Sequence, residues 1–433
     1  MSVASSSPLS ERSFVWVGIG AIVLIRLVVI LLTPRTADFL DPRIYQGAGR
    51  TVLAGVNPYD YSDQPAKRAA LRASMSAQVP GPDDFTQDQK SWDYYVSGNP
   101  PASTALYALF ESIAHGSRFA WRLLLMLGDV SLFAGMVALV KAVRGPLTRG
   151  IDQAGIACLA IINPVLIVSG CAIPEDKQFQ TALLLWGAAL LLAPAARERR
   201  GGLGTGLVLS LSVLFKLLGA FLFPLWLARA MREGPRFAIW TGLGALLPVV
   251  AAFAGFGTHF ISEMLGRAVQ NSVVAPEHAS PWVWWPALAQ GHYYLPVKIL
   301  VTVLFCATLA MLLARRSIDL LNFCAGLTVA FVCIWLDKGA MNRMNIGIVF
   351  ATAALITLSP SVFLRYCLGT VLAAGVAYVL GVGLLHAHLE TVDAVLALLF
   401  LVAYLLTLLG LSRTRAVDST SSAHGALSPE RPS

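Results

Sequence analysis

Residues 14–33 read FVWVGIGAIVLIRLVVILLT. As a helix rising 1.5 Å per residue, a run of about 20 residues reaches ~30 Å, the thickness of a bilayer's hydrocarbon core. Glu11 and Arg12 precede it, and no small-x-small cleavage site follows closely. A cleaved signal peptide has a shorter apolar region, so the run reads as a signal anchor with the amino terminus in the cytoplasm.

Outward from that stretch the chain repeats the theme. Of its 433 residues, 56% are hydrophobic and only 13% carry a formal charge. A soluble domain is nearer half apolar and a quarter charged, and so few ionic groups would not cover a soluble surface of this size. Soluble enzymes, disordered regulators and collagen-like chains are excluded. Further apolar runs fall at 119–140, 153–168, 179–193, 237–256, 294–314, 318–336, 344–358, 366–385 and 392–411. The stretch 102–114 is too short to cross and is expected to dip or lie along the bilayer.

The formal charge of +8 raises the question of nucleic acid. Its placement answers it. The basic residues sit in short clusters between apolar runs: Lys141, Arg144 and Arg149; Arg197, Arg199 and Arg200; Arg229, Arg232 and Arg236; Arg315 and Arg316; Arg413 and Arg415. Such clusters mark cytoplasmic loops rather than a nucleic-acid surface. They also frame 203–228, so an even number of crossings must lie between them. At 26 residues this run is short for two full spans, and a pair of half-length helices turning near Lys216 satisfies both constraints. The expected fold is an all-α integral membrane bundle of roughly eleven to thirteen helices, re-entrant half-helices included, with both termini inside.

The expected single membrane domain covers 1–411, with a disordered cytoplasmic tail at 412–433 that is rich in Ser, Pro and charge. Two loops face outside. The first, 34–101, is nearly neutral, with seven Lys/Arg and eight Asp. The second, 257–292, carries His259, His278, His292 and the cluster Trp282, Trp284 and Trp285, read as an interfacial aromatic anchor. No internal repeat suggests duplicated transporter halves. The six cysteines form no C-x-x-C pair and read as small fillers in helix packing. Gly201, Gly202, Gly204 and Gly206 lack the G-K-[ST] of a phosphate loop and read as a close helix contact.

Charged groups near a bilayer are costly and so are candidates for function. Asp38, Asp41, Arg43 and Tyr45 follow the first span in D-F-L-D-P-R-I-Y. A carboxylate there would accept a proton from a sugar hydroxyl and Arg43 would neutralise a phosphate; equally, an Asp before Pro42 would cap a helix. Asn99-Pro100-Pro101 marks re-entry to the apolar phase, and Asn163-Pro164 breaks a helix inside it. Glu175, Asp176, Lys177 and Gln178 stand at that helix's outer end, while Asp337, Lys338 and Arg343 occupy another outer turn. Lys216, alone in an apolar run, requires water, a carboxylate or a bound phosphate beside it.

In order along residues 14–345, these features resemble the GT-C superfamily of membrane glycosyltransferases. Nearest among them are the bacterial polyprenol-phosphate-mannose-dependent mannosyltransferases and the related GPI-anchor mannosyltransferase. The resemblance is carried by Asp41 to Tyr45, Gly-x-Asn-Pro-Tyr ending at Tyr59, Asn99-Pro100-Pro101 at a Tyr-Pro-Pro-like turn, and Gly128-Asp129-Val130. Asn163-Pro164 with Ser169-Gly170 and Glu175, Lys216 with Pro224, and Gln270-Asn271-Ser272 continue it. The chain departs from the pattern at Asn99, across 171–178, and in a polar insertion at 62–93.

The resemblance implies an inverting transfer of a sugar, mannose first, from a polyprenyl-phosphate donor to a hydroxyl of a glycolipid or glycan acceptor. It implies Asp41 as general base. Lys216, then Arg43, Lys177 and Arg343, are the candidates for the donor phosphate, and Tyr45, Asn99, Glu175, Asn271 and His278 line the substrate side. No metal or cofactor is called for, because cationic side chains supply the neutralisation. The competing readings are a secondary transporter or lipid flippase, and a non-catalytic envelope assembly protein. Transporters typically carry short loops and midplane polar groups, whereas here the polar residues gather at outer ends beside one long loop.

Overall fold

The computed structural model describes residues 9–33, 40–60, 65–78, 98–172, 175–193, 198–271, 294–335, 341–380, 395–396 and 398–410. Among them the chain is helical, with no strand. Among the described residues six helices are long and apolar enough to cross a membrane, and three shorter apolar helices accompany them. The protein is an all-α, multi-pass membrane protein. The Trp cluster at 282–285, the 62–64 and 79–93 parts of the polar insertion, Asp337, Lys338 and the tail lie outside the described residues.

Helix α1 (Glu11–Leu32) starts on a Ser10 cap whose hydroxyl accepts from the Ser13 amide. It runs antiparallel to α5 (Arg118–Arg144). The register is visible in three contacts: Glu11 with Lys141, Gly18 against the Phe133 ring, and Arg26 with Asp129. Between α1 and α5 come α2 (Leu40–Leu53), α3 (Pro65–Gln78) and α4 (Pro101–Ala114). Helix α4 packs its buried Tyr107, Phe110 and Ala114 against Ile44, Tyr45 and Ala48 of α2.

After α5 the chain climbs back through an interrupted helix. It consists of α6 (Gly150–Ile156), a π turn (Ala157–Ile161), α7 (Pro164–Ile167) and a second π turn (Val168–Ala172). Pro164 removes an amide donor and would clash with the preceding turn, so the helix must restart there. The Asn163 side chain caps the restart, accepting from the Val165 amide at 3.1 Å. The break expected at Asn163-Pro164 is present.

Helix α8 (Lys177–Leu192) descends and α9 (Arg199–Lys216) ascends beside it. The turn expected near Lys216 falls at Leu217, which closes α9 in the left-handed conformation at φ 60°. A 3-10 segment (Leu218–Leu222) and α10 (Phe223–Glu233) return to the level of Arg229, which donates to the Ala193 carbonyl at 3.1 Å. The arms of this hairpin extend past the apolar run at both ends. The tighter 3-10 winding rises ~2 Å per residue, so the shorter return arm covers almost the distance of α9.

Helix α11 (Pro235–Phe256) then packs along α9. A methyl group on Gly206 would lie 1.9 Å from the Thr241 carbonyl oxygen, and one on Gly244 only 2.1 Å from that of Leu203. Only glycine permits so close a backbone approach. The expected glycine contact therefore rests on Gly206, while Gly204 faces open space.

Helices α12 (His259–Asn271), α13 (Tyr294–Ala314), α14 (Leu320–Trp335), α15 (Met341–Ala354), α16 (Pro360–Ala377) and α17 (Leu398–Gly410) complete the described bundle. All six cysteines are free thiols, and five are buried. Large apolar side chains stay exposed on outward faces, among them Trp16 and Leu24 on α1 and Leu246 and Leu247 on α11. A water-facing surface would not carry such continuous patches; a lipid-facing one does.

The bundle has two chemically different ends. One gathers Glu11, Lys141, Arg144 and Gln153, with Gln153 donating to the carbonyls of Leu9 and Leu147 and Arg144 to that of Ile356. The other gathers Tyr45, Tyr107, Glu175, Asp176, Lys177 and Lys216.

Candidate functional site

The site begins where the interrupted helix ends. Glu175 and Asp176 precede α8 immediately, where unpaired amides give the helix terminus a partial positive charge that favours carboxylates. Asp176 occupies the N-cap position, but its side chain makes no capping bond. Its two oxygens are taken from four other directions.

Tyr45 of α2 donates its hydroxyl to Asp176 Oδ1 at 3.1 Å, and Tyr107 of α4 donates to Oδ2. The Lys216 ammonium, from the last turn of α9, pairs with Oδ1, and the Lys177 ammonium stands 3.4 Å from the same oxygen. Lys177 is also 2.5 Å from Glu175 Oε2 and 3.4 Å from the Tyr45 hydroxyl. The rings of Tyr45 and Tyr107 stack at 4.5 Å. Asp176 is fully enclosed, and four helices converge on its carboxylate.

The arrangement is balanced in charge: two ammonium groups against two carboxylates. A buried carboxylate without partners would cost several kcal/mol, and these contacts together let the charges persist. Accessibility separates the two lysines. The Lys177 side chain is 8% exposed and wedged between two carboxylates, while that of Lys216 is 20% exposed with one ion-pair partner among the described residues.

A second layer fixes the outer segment on the bundle. Glu111 of α4 accepts from Arg50 Nε and from Trp121 Nε1, each at 2.7 Å. The Tyr59 hydroxyl donates to the Asn99 carbonyl at 2.5 Å and lies 3.0 Å from the Thr104 hydroxyl. Asn57 reaches the Phe256 carbonyl at 3.1 Å, and Tyr59 packs edge-on against Phe256. Together these contacts seat the Gly-x-Asn-Pro-Tyr turn on α11.

Of the residues expected from sequence, the structure brings Tyr45, Glu175, Lys177 and Lys216 together. Arg43 lies half-buried on α2 two residues before Tyr45. Asn99 joins the neighbouring Tyr59 network through its backbone carbonyl. Asp41 stands on the first turn of α2, four residues and one helical turn before Tyr45, hence on the same helix face. Its side chain lies outside the described residues, as do those of Arg343 on α15 and Asn271 on α12. His278 lies outside them altogether.

Two features were given no role in the sequence reading. Asp176, noted there only as one of four adjacent polar residues, is the centre of the cluster, with Tyr107 beside it. Deeper in the bundle Arg26, inside the first apolar run, is fully buried. It donates to the Ile161 carbonyl at 2.6 Å, the Ala160 carbonyl at 3.3 Å and Asp129 Oδ1 at 3.4 Å. Those carbonyls lie at the end of the first π turn, where Pro164 has removed the next helical donor. A lone arginine in a span demands such partners, and that demand was the available signal.

Among the described residues no three of His, Cys, Asp or Glu gather closely enough to hold a metal ion. No protein-family model matches the chain, and no curated protein matches it.

Proposed function

We propose that the protein is a membrane-embedded glycosyltransferase of the GT-C type. In this reading it moves a sugar, mannose first, from a polyprenyl-phosphate donor to a hydroxyl of a glycolipid or glycan acceptor. The reaction takes place on the extracytoplasmic side of the cell membrane. The supporting observation is the shared carboxylate. Lys216 and Tyr45 both bind Asp176, so Asp41, one turn along the same face of α2, belongs to the helix that borders the most accessible buried ammonium.

The chemistry follows from those positions. The acceptor hydroxyl gives its proton to the Asp41 carboxylate as its oxygen attacks the anomeric carbon from the face opposite the phosphate. The glycosidic carbon–oxygen bond to phosphate breaks, and the electron pair leaves with the lipid phosphate. Configuration inverts because one displacement occurs. The Lys216 ammonium offsets the charge that develops on the leaving phosphate, with Arg43 next to consider. Lys177, held by Glu175 and Asp176, is assigned to scaffolding instead. The basic cluster of Lys141 and Arg144 at the opposite end, beside Glu11, supports reading that end as the cytoplasmic one.

A second reading, a transporter or flippase, draws on the interrupted helix spanning residues 150–172, since broken helices often line transport sites. Against it, Arg26 already fills the break.

The deciding experiment incubates purified protein with a panel of polyprenyl-phosphate sugars and envelope lipid extract, followed by mass spectrometry of the products. Asp41→Asn is expected to lower turnover by about 10²–10⁴-fold, the range for loss of a general base, with donor binding retained. Near-normal turnover in that variant removes the base assignment. Translocated donor without any new glycoside favours the transporter.

A further inference from the structure

Asp176 holds more donors than one carboxylate needs for stability in a buried place. We infer that it acts as a latch: Lys216 is a transferable cation that leaves Asp176 to bind the phosphate of a polyprenyl-phosphate ligand, and Tyr45, Tyr107 and Lys177 hold the carboxylate while it is away. This deepens the reading above and rests on it. It assigns Asp176 a positioning role rather than a catalytic one.

Three observations carry the inference. The first is redundancy. Without Lys216, Asp176 keeps Tyr45 at 3.1 Å, Tyr107, and Lys177 at 3.4 Å. A neutral hydroxyl donor stabilises a carboxylate without competing for an anion, so the two tyrosines keep the vacated carboxylate ionised. The second is asymmetry of access. Lys216 is the more exposed of the two lysines, while Lys177 is clasped between Glu175 and Asp176. Only one ammonium of the pair is therefore free to change partner.

The third is the backbone. Lys216 is the last residue of α9, and the chain reverses at Leu217 with φ 60°, a conformation that side-chain-bearing residues seldom adopt. The long, flexible lysine stem thus projects from a fixed turn rather than from the middle of a packed helix. A point-charge ammonium with three rotatable donors suits exchange between a carboxylate and a phosphate; a guanidinium locked to several acceptors, such as Arg26, does not.

The electrostatics set the sign. Asp176 and the ligand phosphate compete for one ammonium, so neutralising the carboxylate must strengthen phosphate binding. A purely structural aspartate predicts the reverse or no change. The test measures binding of a long-chain polyprenyl monophosphate, the corresponding polyprenol, and inorganic phosphate to the full-length protein in lipid nanodiscs. The quantity read is the ratio of affinities for the phosphorylated and unphosphorylated lipid.

Asp176→Asn is expected to raise that ratio by about fivefold or more, the lower end of coupling between interacting sites. Lys216→Met should collapse the ratio toward one, and adding Asp176→Asn to it should then have no effect. Should Asp176→Asn fail to fold, Tyr107→Phe serves. It strips one competing donor from the carboxylate, tightens its hold on Lys216, and should lower the ratio about two- to fivefold.

An unchanged or lower ratio in folded Asp176→Asn overturns the latch, as does a ratio insensitive to Lys216→Met. Inorganic phosphate binding with the same dependence on both residues upholds the latch and identifies a free anion as its occupant. Sugar transfer is not part of the readout. Loss of the transfer reading with the ratios intact removes only the function, and the converse removes only the latch.

Discussion

Two buried ion pairs, Arg26 with Asp129 and Lys216 with Asp176, look alike in a count of charges and differ in every physical respect that matters. The first is sealed: both side chains are 0% exposed. Its guanidinium spends donors on two backbone carbonyls as well as on the carboxylate. The second leaves its cation partly open, with one carboxylate partner among the described residues, which other donors already serve. A cation committed to three acceptors, two of them backbone carbonyls, belongs to the fold, because moving it would orphan those carbonyls in a medium that offers no water. An under-committed cation next to an over-served anion is free to do something else. Burial alone does not separate structure from function inside a membrane; the ratio of donors to acceptors around each charge does.

Breaking the sealed pair tests this most severely. Arg26→Met leaves the Asp129 carboxylate buried without its cation and the carbonyls of Ala160 and Ile161 without their donor. The expected cost is about 3–5 kcal/mol, read as a large fall in thermal midpoint in detergent or as loss of folded protein. Arg26→Met with Asp129→Leu should recover part of the loss, since an apolar pair removes the stranded charge, while the two carbonyls stay unserved. A stable, active single mutant would erase the distinction between the pairs.

Lys216→Met is expected to cost less, about 2 kcal/mol, the scale of one hydrogen bond to a charged group. Asp176 keeps Tyr45, Tyr107 and Lys177 in that variant, so the protein should fold and lose phosphate recognition instead. Equal destabilisation by Arg26→Met and Lys216→Met in the same thermal scan would show that Lys216 is as structural as Arg26.

Much of this contrast was invisible along the chain, for identifiable reasons. The all-α membrane fold, the break at Asn163-Pro164, the reversal beside Lys216 and the glycine contact at Gly206 are local or periodic features, and the structure contains each of them. Arg26 was hidden by averaging: one charge in a run as apolar as 14–33 barely changes its hydropathy. Its partner Asp129 lies 103 positions away, and nothing in either span names the other. Lys216 announced a need for water, a carboxylate or a phosphate beside it, but not which of these, nor which acidic residue, meets it. Asp176 was one of two adjacent acids, and only the fold distinguishes it from Glu175. Tyr107 sits in a short amphipathic run where a buried aromatic is unremarkable. What the sequence could not convey in each case is pairing between helices distant along the chain. Asp41, by contrast, was singled out by its place after the first span, and α2 sets it one turn from Tyr45.

The smallest expected effect concerns the turn that presents Lys216. A residue with a Cβ held in the left-handed region costs roughly 1–2 kcal/mol, which glycine avoids. Leu217→Gly therefore relieves strain at φ 60°. It also removes a half-buried apolar side chain, whose loss is of similar size and opposite sign. The net change in stability should stay within about 1 kcal/mol, far below that of Arg26→Met. Its consequence for recognition is separable. A glycine at the reversal frees the last turn of α9, so Lys216 no longer starts from one fixed direction, and preference for phosphorylated over unphosphorylated polyprenol should weaken about two- to threefold through lost preorganisation. No turn of this kind borders Arg26, which stands within the continuous helix α1. A loss of stability comparable to that of Arg26→Met would mean that the reversal holds the bundle together rather than aiming its cation.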